Sequence, residues 1–324
     1  MPLRPAVLLA VIYALGYPIG ALAVSAISPM IVLVFRFGLA ALILSVWAVV
    51  SGVRWPTGRL LGHVLVAGLL TQGLQFGCLY LALMHGAPAV LGAVMISMNP
   101  VATALLAAVF LGERLTARRV AALVLGVVAV LAACAQRLLA IGGVDIVIIL
   151  LMVSLLAIAS GGVYQQRFCR GADFRANAAL QNAASLVPVS ILAALLPWHV
   201  TNVHLAVVSV TAVVLLNATL CMTLYVRAID HYGAAAVAML FAVIPAIAGA
   251  LSWLILGQRP DAGIAIGLVV GALACWLNSS ALRSAAPKIR STTPAPARPP
   301  LPTAESSRSG PSGRRDLEAE CPCP

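Results

Sequence analysis

The sequence predicts an all-helical integral membrane protein in which ten transmembrane helices form two similar halves. Three observations predict this fold: an apolar composition, apolar runs of helical length, and a motif that occurs twice. Hydrophobic residues make up 62% of the 324 residues and charged residues only 9%, whereas a soluble domain carries about 25% charged residues. Because a soluble fold could not cover this much apolar surface, the composition predicts that the lipid bilayer surrounds the chain.

The apolar runs divide the chain into stretches of about 20 residues, the length that crosses the hydrocarbon core of a bilayer. The predicted spans, numbered 1 to 10 in chain order, are 5–24, 29–50, 62–83, 87–110, 117–136, 143–165, 177–196, 205–227, 233–256 and 261–281. The first run is expected to remain in the protein as a signal anchor, since further spans follow it. Short connections make successive spans antiparallel.

The arginines between the spans predict the orientation of the chain. If both termini are cytoplasmic, the inner segments hold ten arginines and the outer loops hold two, Arg137 and Arg259. Basic residues concentrate on the cytoplasmic side of short loops. The sequence therefore predicts cytoplasmic N- and C-termini in the cell inner membrane. The net charge of +11 does not indicate a nucleic-acid partner, because no basic helix face follows a phosphate backbone.

An internal repeat relates the two halves at an offset of 145 residues. The matched features are Pro100 with Pro245, Leu-Gly-Glu-Arg at 111–114 with Leu-Gly-Gln-Arg at 256–259, and Tyr80 with Tyr225. Each half would hold five helices, and an odd number of helices inverts the second half relative to the first. The predicted domains are residues 1–139 and 140–282, followed by a disordered, basic, Pro-rich cytoplasmic tail over 283–324.

These motifs resemble the EamA-like permeases of the drug/metabolite transporter superfamily. The resemblance is carried over residues 5–281 by the repeated proline, by Leu-Gly-Glu-Arg-Leu at 111–115, and by Arg36 within Phe35-Arg36-Phe37. It implies an inverted repeat of five plus five helices and transport of metabolites, often amino acids or related solutes. The sequence departs from the family pattern at Gln258, where Glu is usual, and at Tyr17-Pro18, where Trp-Gly is common.

Arg36 is the sharpest candidate for substrate binding. It lies about seven residues into span 2, roughly 10 Å deep at 1.5 Å per residue. A charge at this depth is costly and should face the protein interior or a water-filled cavity. Arg36 either attracts an anionic group of the substrate, such as a carboxylate, or holds the fold by bonding to backbone carbonyls, and the sequence leaves both roles open.

Amides and phenols supply the other polar groups in the spans, and a central cavity between spans 1, 3, 4, 7 and 8 would gather most of them. The predicted substrate-binding residues of this kind are Tyr13, Tyr17, Gln72, Gln75, Asn99, Gln181, Asn182 and Asn217. The alternative for each residue is a hydrogen bond between helices. Pro100 and Pro245 are predicted kinks or hinges, because proline removes a helical N–H donor. The glycine pairs Gly16/Gly20 and Gly73/Gly77 predict close contact between helices.

The sequence contains no enzyme, metal or cofactor signature, such as a metal-spaced His/Cys/Asp cluster or a phosphate loop. No Asp or Glu lies deep in a span, which disfavours coupling to protons through a buried acid. The leading hypothesis is a secondary transporter that exports a small metabolite, most simply an amino acid or a related solute. Within transport, the alternatives are uptake of an organic acid and multidrug efflux. Outside transport, they are a non-transporting membrane scaffold that binds a partner and a membrane-embedded enzyme. A homodimer is the minority interpretation of the glycine pairs.

Overall fold

The structure is a computed structural model that describes residues 3–111, 117–141 and 145–257, together with 262, 265–267 and 269–273. Across this described part the chain is helical, with no strand beyond an isolated bridge between Ile27 and Val200. Residues Met1–Ala286 form one compact unit. The predicted tail over 283–324 and the Leu-Gly-Glu-Arg and Leu-Gly-Gln-Arg turns fall wholly or largely outside the described residues.

The described helices coincide with the first nine predicted spans. They are α1 (Leu3–Ala26), α2 (Pro29–Val50), α3 (Gly58–Met84), α4 (Ala89–Ser97), α5 (Asn99–Leu111), α6 (Ala117–Ile141), α7 (Ile146–Phe168), α8 (Phe174–Leu195), α9 (Val203–Tyr232), α10 (Ala234–Ala238) and α11 (Ile244–Leu256). Seven stretches of the described residues are long and apolar enough to cross a membrane. The all-helical, multi-pass fold is confirmed, while span 10 lies largely outside the described residues, and the count of ten and the orientation stay predictions.

The exterior of the bundle is apolar and its interior holds the polar side chains. On α2, Leu42, Val46 and Val50 are 61%, 55% and 81% exposed, whereas Arg36 is 1% exposed. An apolar exterior is favourable only where lipid replaces water, since every polar group in the hydrocarbon region needs a partner inside the protein. The distribution of polarity therefore agrees with the predicted membrane location.

The two halves repeat in their secondary structure as well as in their motifs. Helices α2 and α8 have 22 residues each and begin 145 residues apart, at Pro29 and Phe174. Within α3 and α9, π-helical segments replace the α-helix at matching places, Leu69–Leu74 and Val213–Cys221. In a π-helix each N–H bonds to the carbonyl five residues earlier, and such segments are frequent at functional sites. The sequence analysis did not predict them.

The matched prolines begin new helices after a break in the chain direction. Helix α5 begins at Asn99, so Pro100 lies in its first turn. A 3₁₀ turn over Met239–Ala242 precedes α11, which begins at Ile244 and has Pro245 in its first turn. Proline is favoured there because the N–H that it lacks would have no helical partner. Both halves therefore contain a broken helix at the predicted place, and a hinge role for the break stays a prediction.

A set of hydrogen bonds closes one end of the bundle. The N–H of Ser28 donates to the His199 carbonyl at 3.1 Å, and the N–H of His199 donates to Ser28 Oγ at 2.8 Å. Beside them Ile27 and Val200 pair as an antiparallel bridge. We call the segments 25–28 and 199–202 the clasp. It joins the connection between α1 and α2 to the connection between α8 and α9, and so ties the first half to the second.

The opposite end of the bundle has no equivalent of the clasp. Helix inversion makes the connections 51–57 and 169–173 the counterparts of the clasp segments. Among the described residues, no backbone hydrogen bond joins these two connections. Side chains meet instead, with the Trp47 and Phe174 rings 6.0 Å apart. We call this end the basic face, after Arg54, Arg59, Arg167, Arg170, Arg175 and Arg227.

Candidate functional site

Arg36 lies at the centre of the candidate site and is held by neutral groups. Its Nη2 donates to Asn217 Oδ1 at 2.8 Å, and its guanidinium carbon lies 3.7 Å from the centroid of the Phe76 ring. A guanidinium over an aromatic face gains a cation–π attraction, which strengthens when both groups are desolvated. Arg36 Nε and Nη1 are buried and have no hydrogen-bond partner of good geometry among the described residues, while the Tyr80 hydroxyl faces the guanidinium. The site therefore presents a buried cation with two donor nitrogens to spare.

Two glycines of α1 make room for the neighbours of Arg36. A Cβ at Gly16 would collide with the Asn217 side chain, and a Cβ at Gly20 would lie 3.0 Å from the Tyr80 hydroxyl oxygen. Asn217 also donates from Nδ2 to the Ile12 carbonyl at 3.3 Å, which fixes its amide between α1 and Arg36. The predicted close contact at Gly16 and Gly20 thus occurs between the helix backbone and side chains of the site.

A small cavity lies against Arg36. Its volume is about 10 Å³, which is room for about one water molecule. The cavity is lined by Tyr13, Arg36, Thr71, Phe76, Ile158, Asn217, Cys221, Met222 and Tyr225. Helices α1, α2 and α3 of the first half and α7 and α9 of the second half supply these residues. The structure therefore brings Tyr13, Arg36 and Asn217 together, as the sequence predicts, at a point where the two halves meet.

Gln181 is the centre of a second buried polar network, which adjoins the cavity through Thr71. The single proton of the Thr71 hydroxyl is shared between the Ala67 carbonyl at 2.8 Å and Gln181 Oε1 at 3.1 Å. Gln181 Nε2 in turn donates to Gln165 Oε1 at 3.0 Å and to Asn177 Oδ1 at 2.8 Å. All four side chains are at most 2% exposed. Such a network fixes the relative positions of α3, α7 and α8, because a broken bond would leave a buried polar group without a partner.

The two polar centres occupy equivalent positions in the repeat. Gln181 follows Arg36 by 145 residues, and Asn217 follows Gln72 by the same offset. Arg36 of the first half bonds to α9 of the second half, while Gln181 of the second half bonds to α3 of the first half. The repeat is therefore present in the contacts, and the two halves differ in charge at this position, which holds Arg36 in the first half and Gln181 in the second.

The remaining predicted residues divide into two groups. Gln72 and Gln75 are fully buried and their side-chain amides have no partner among the described residues, and the same holds for the Tyr17 hydroxyl. These three residues have polar atoms free to bind a solute. Asn99 accepts a 3.0 Å bond within α5, and Asn182 donates a 2.8 Å bond to a carbonyl of α8. None of these five residues lines the cavity against Arg36.

Sequence reasoning missed several residues that complete the site. Phe76, Thr71 and Cys221 line the cavity, and Gln165 and Asn177 belong to the Gln181 network. An aromatic or a threonine in an apolar span is too common to single out. Gln165 and Asn177 lie at the edges of the predicted spans 6 and 7, where polar residues are common and do not stand out.

A larger cavity of about 640 Å³ opens at the basic face. It is lined by Gln166, Arg170, Gly171, Ala172, Asp173, Phe174, Arg227, Ile229, Asp230, His231 and Gly233, and we call it the vestibule. Ile229 lies one helical turn from Tyr225, which lines the small cavity, so one turn of α9 lies between the two cavities. At the rim, the side-chain and backbone hydrogen bonds from Arg175 keep the pKa of Asp173 below its ordinary value.

Two similar halves, an apolar exterior and a buried polar centre where the halves meet are typical of membrane transport proteins. The chain belongs to the EamA-like transporter family, whose family model matches residues 5–134 and 145–280, one match in each half. This match confirms the resemblance drawn from the motifs.

Solved structures show the same fold. One of them, described only as "Crystal structure of protein", superposes with a TM-score of 0.64 at 17% sequence identity and covers 86% of this chain and 98% of that chain. At this identity the likeness concerns the fold alone. A search of curated proteins finds no significant match.

Proposed function

We propose that this chain is a secondary transporter that exports a small carboxylate-bearing metabolite, an amino acid or a related solute, across the cell inner membrane. One observation carries the proposal: the buried guanidinium of Arg36 has two free donors and only neutral partners, at the meeting point of the two halves. Intramembrane charges that lack an internal counter-charge typically mark a substrate pathway. A carboxylate would supply both the missing charge and the missing acceptors.

The difference between the two ends of the bundle supports an alternating mechanism. The clasp closes one end with backbone hydrogen bonds, whereas the vestibule opens at the basic face. Inverted repeats permit the reverse arrangement, in which the basic face closes and the clasp opens. The solute would then reach Arg36 from one side and leave on the other, without a continuous pore.

The direction of transport follows from the predicted orientation. The arginine distribution favours a cytoplasmic basic face. A solute would therefore enter from the cytoplasm through the vestibule, which suits an exporter. A membrane scaffold would need neither a vestibule nor unpartnered polar groups at its centre.

The test is uptake into liposomes that contain the purified full chain, measured by mass spectrometry for a panel of amino acids, organic acids, nucleosides and cationic drugs. We expect a carboxylate-bearing class to enter above the level of empty liposomes. Arg36→Ala should abolish this uptake, and Arg36→Lys should retain part of it. Arg59→Ala is the matched control, because it removes an exposed arginine of the basic face.

Two results would oppose the proposal. If no compound enters although the protein melts cooperatively, transport is wrong and the scaffold alternative gains. If Arg36→Lys transports fully and Arg36→Ala only lowers expression, Arg36 serves the fold and not the solute.

A further inference from the structure

The charge balance around Arg36 limits the net charge of the solute that the site can bind. This inference rests on the transport function proposed above. The groups that contact or face the guanidinium are the Asn217 amide, the Phe76 ring, the Tyr13 and Tyr80 phenols and the Cys221 thiol. All are neutral at pH 7 in their ordinary state. The side chains that face the site therefore leave the positive charge of Arg36 uncompensated.

The described acids are too far from Arg36 to balance this charge. Residues 5–281 contain five acids, of which Asp145, Asp173 and Asp230 lie within the described residues and Glu113 and Asp261 lie outside them. Asp230 follows Asn217 by 13 residues along α9, roughly 20 Å at 1.5 Å per residue. Asp145 precedes Ile158 of the cavity by the same number of residues on α7. Asp173 is already paired with Arg175 at 3.0 Å.

A buried charge is strongly unfavourable unless an opposite charge accompanies it. A solute with net charge −1 makes the loaded site neutral. A zwitterion leaves a net charge of +1 and places its ammonium close to Arg36, where like charges repel. A second cation in the solute would therefore need an acidic partner, and none of the described residues that line the cavity is acidic.

We propose that the transported solute is an organic monoanion whose other polar groups are neutral, so that hydroxy, keto or N-acylated carboxylates are carried in preference to free amino acids. The carboxylate binds the free donors of Arg36. The neutral hydroxyl, carbonyl or amide groups bind the Tyr13 hydroxyl, which lines the cavity and has no partner among the described residues. A phenol donates and accepts hydrogen bonds but carries no charge in its ordinary state.

The first experiment compares pairs of compounds that differ in one group. Valine and 2-hydroxyisovalerate have the same carbon skeleton and differ by an ammonium in place of a hydroxyl. Valinamide, a cation, and 2-hydroxyisovaleramide, which is neutral, complete the charge series. Thermal stabilisation of the full chain in detergent gives the half-maximal concentration of each compound, and liposome uptake gives its transport. We expect the half-maximal concentration of the hydroxy acid to be at least about ten-fold lower than that of the amino acid.

The outcomes separate this inference from the proposed function. If valine binds and enters as well as 2-hydroxyisovalerate, or if the cation or the neutral amide is preferred, the charge assignment is wrong and transport stands. If no member of any charge class binds or enters, both this inference and the transport function fail.

A second experiment changes the charge of the site and keeps its shape. Asn217→Asp places a carboxylate 2.8 Å from Arg36 Nη2, where the amide oxygen now lies. The protein then supplies its own counter-charge, so we expect hydroxy-acid binding to weaken at least about ten-fold and the preference to move toward the amino acid. Asn217→Ala removes the same hydrogen bond without adding charge and should retain the preference for the anion. Equal loss of that preference in both variants would overturn the inference, and melting curves identify a variant that has unfolded.

Discussion

Gly16→Ala should disrupt the site through a single added methyl group. The new Cβ would collide with the Asn217 side chain, which lies between α1 and Arg36. Asn217 would have to withdraw, and Arg36 would lose its hydrogen bond to Asn217. Overpacking costs about 1–3 kcal/mol, and a hydrogen bond to a charged group contributes about 1.5–3 kcal/mol. Because both effects arise from the same displacement of Asn217, they do not add fully. We therefore expect the free energy of unfolding to fall by about 2–4 kcal/mol.

Gly77→Ala is the matched control for this prediction. Gly77 is also a helical glycine, here a buried one, but a Cβ there would meet no atom within 4 Å. Alanine is favoured over glycine inside a helix by about 1 kcal/mol, and this gain applies to both variants. Gly77→Ala should therefore melt at or above the temperature of the unchanged protein.

The assay is thermal melting of the full chain in detergent, followed by liposome transport. At about 2 °C per kcal/mol for a protein of this size, Gly16→Ala should melt roughly 4–8 °C below Gly77→Ala. A second change, Asn217→Ser, shortens the side chain that collides and should recover most of the melting temperature in the Gly16→Ala background. If the two glycine variants melt within about 1 °C of each other, the steric argument for Gly16 is wrong.

Three further predictions concern other parts of the molecule. Thr71→Val and Gln181→Leu should show a coupling of about 0.6 kcal/mol in a double-mutant cycle of unfolding, and full additivity would contradict their hydrogen bond. The double variant Ile27→Cys/Val200→Cys should form a disulfide, because these residues pair across the clasp. The disulfide should stop transport until a reductant is added. Unchanged flux in the oxidised protein would show that the clasp stays closed during transport. Asp145→Ala should cost about 1 kcal/mol in melting experiments, because Asp145 caps α7 through the N–H of Ile148, while Asp145→Asn should retain most of that stability.

The sequence predicts the helices and their repeat well because lipid imposes one simple requirement on a span. A run of about 20 apolar residues is both necessary and easy to detect. Arg36 is predictable for the same reason, since a charge within such a run contrasts with everything around it. Its burial, with 1% exposure, and its position against a cavity agree with that prediction.

The parts that the sequence did not predict depend on contacts between distant segments. Phe76 is one aromatic residue among many apolar ones until it is found 3.7 Å from the Arg36 guanidinium. Gly16 and Gly77 have the same sequence environment, an apolar helix, yet only Gly16 meets a side chain of the site. Asn182 and Asn99 form hydrogen bonds within their own helices, which the sequence does not reveal, and their role in binding a substrate stays a prediction. Helical periodicity identifies a face, but it does not identify the residue that the face meets.

The two π-helical segments bear on how the protein arose. A π-helix uses more residues per turn than an α-helix, so each segment corresponds to extra chain within an otherwise regular span. Leu69–Leu74 and Val213–Cys221 lie at matching places in halves that share little sequence beyond a few motifs. One insertion in an ancestral five-helix unit, copied when that unit doubled, accounts for both segments with a single event. By this ordering the irregular turn is older than the doubled molecule, and the divergence of Arg36 from Gln181 came afterwards, when two identical halves acquired different charges.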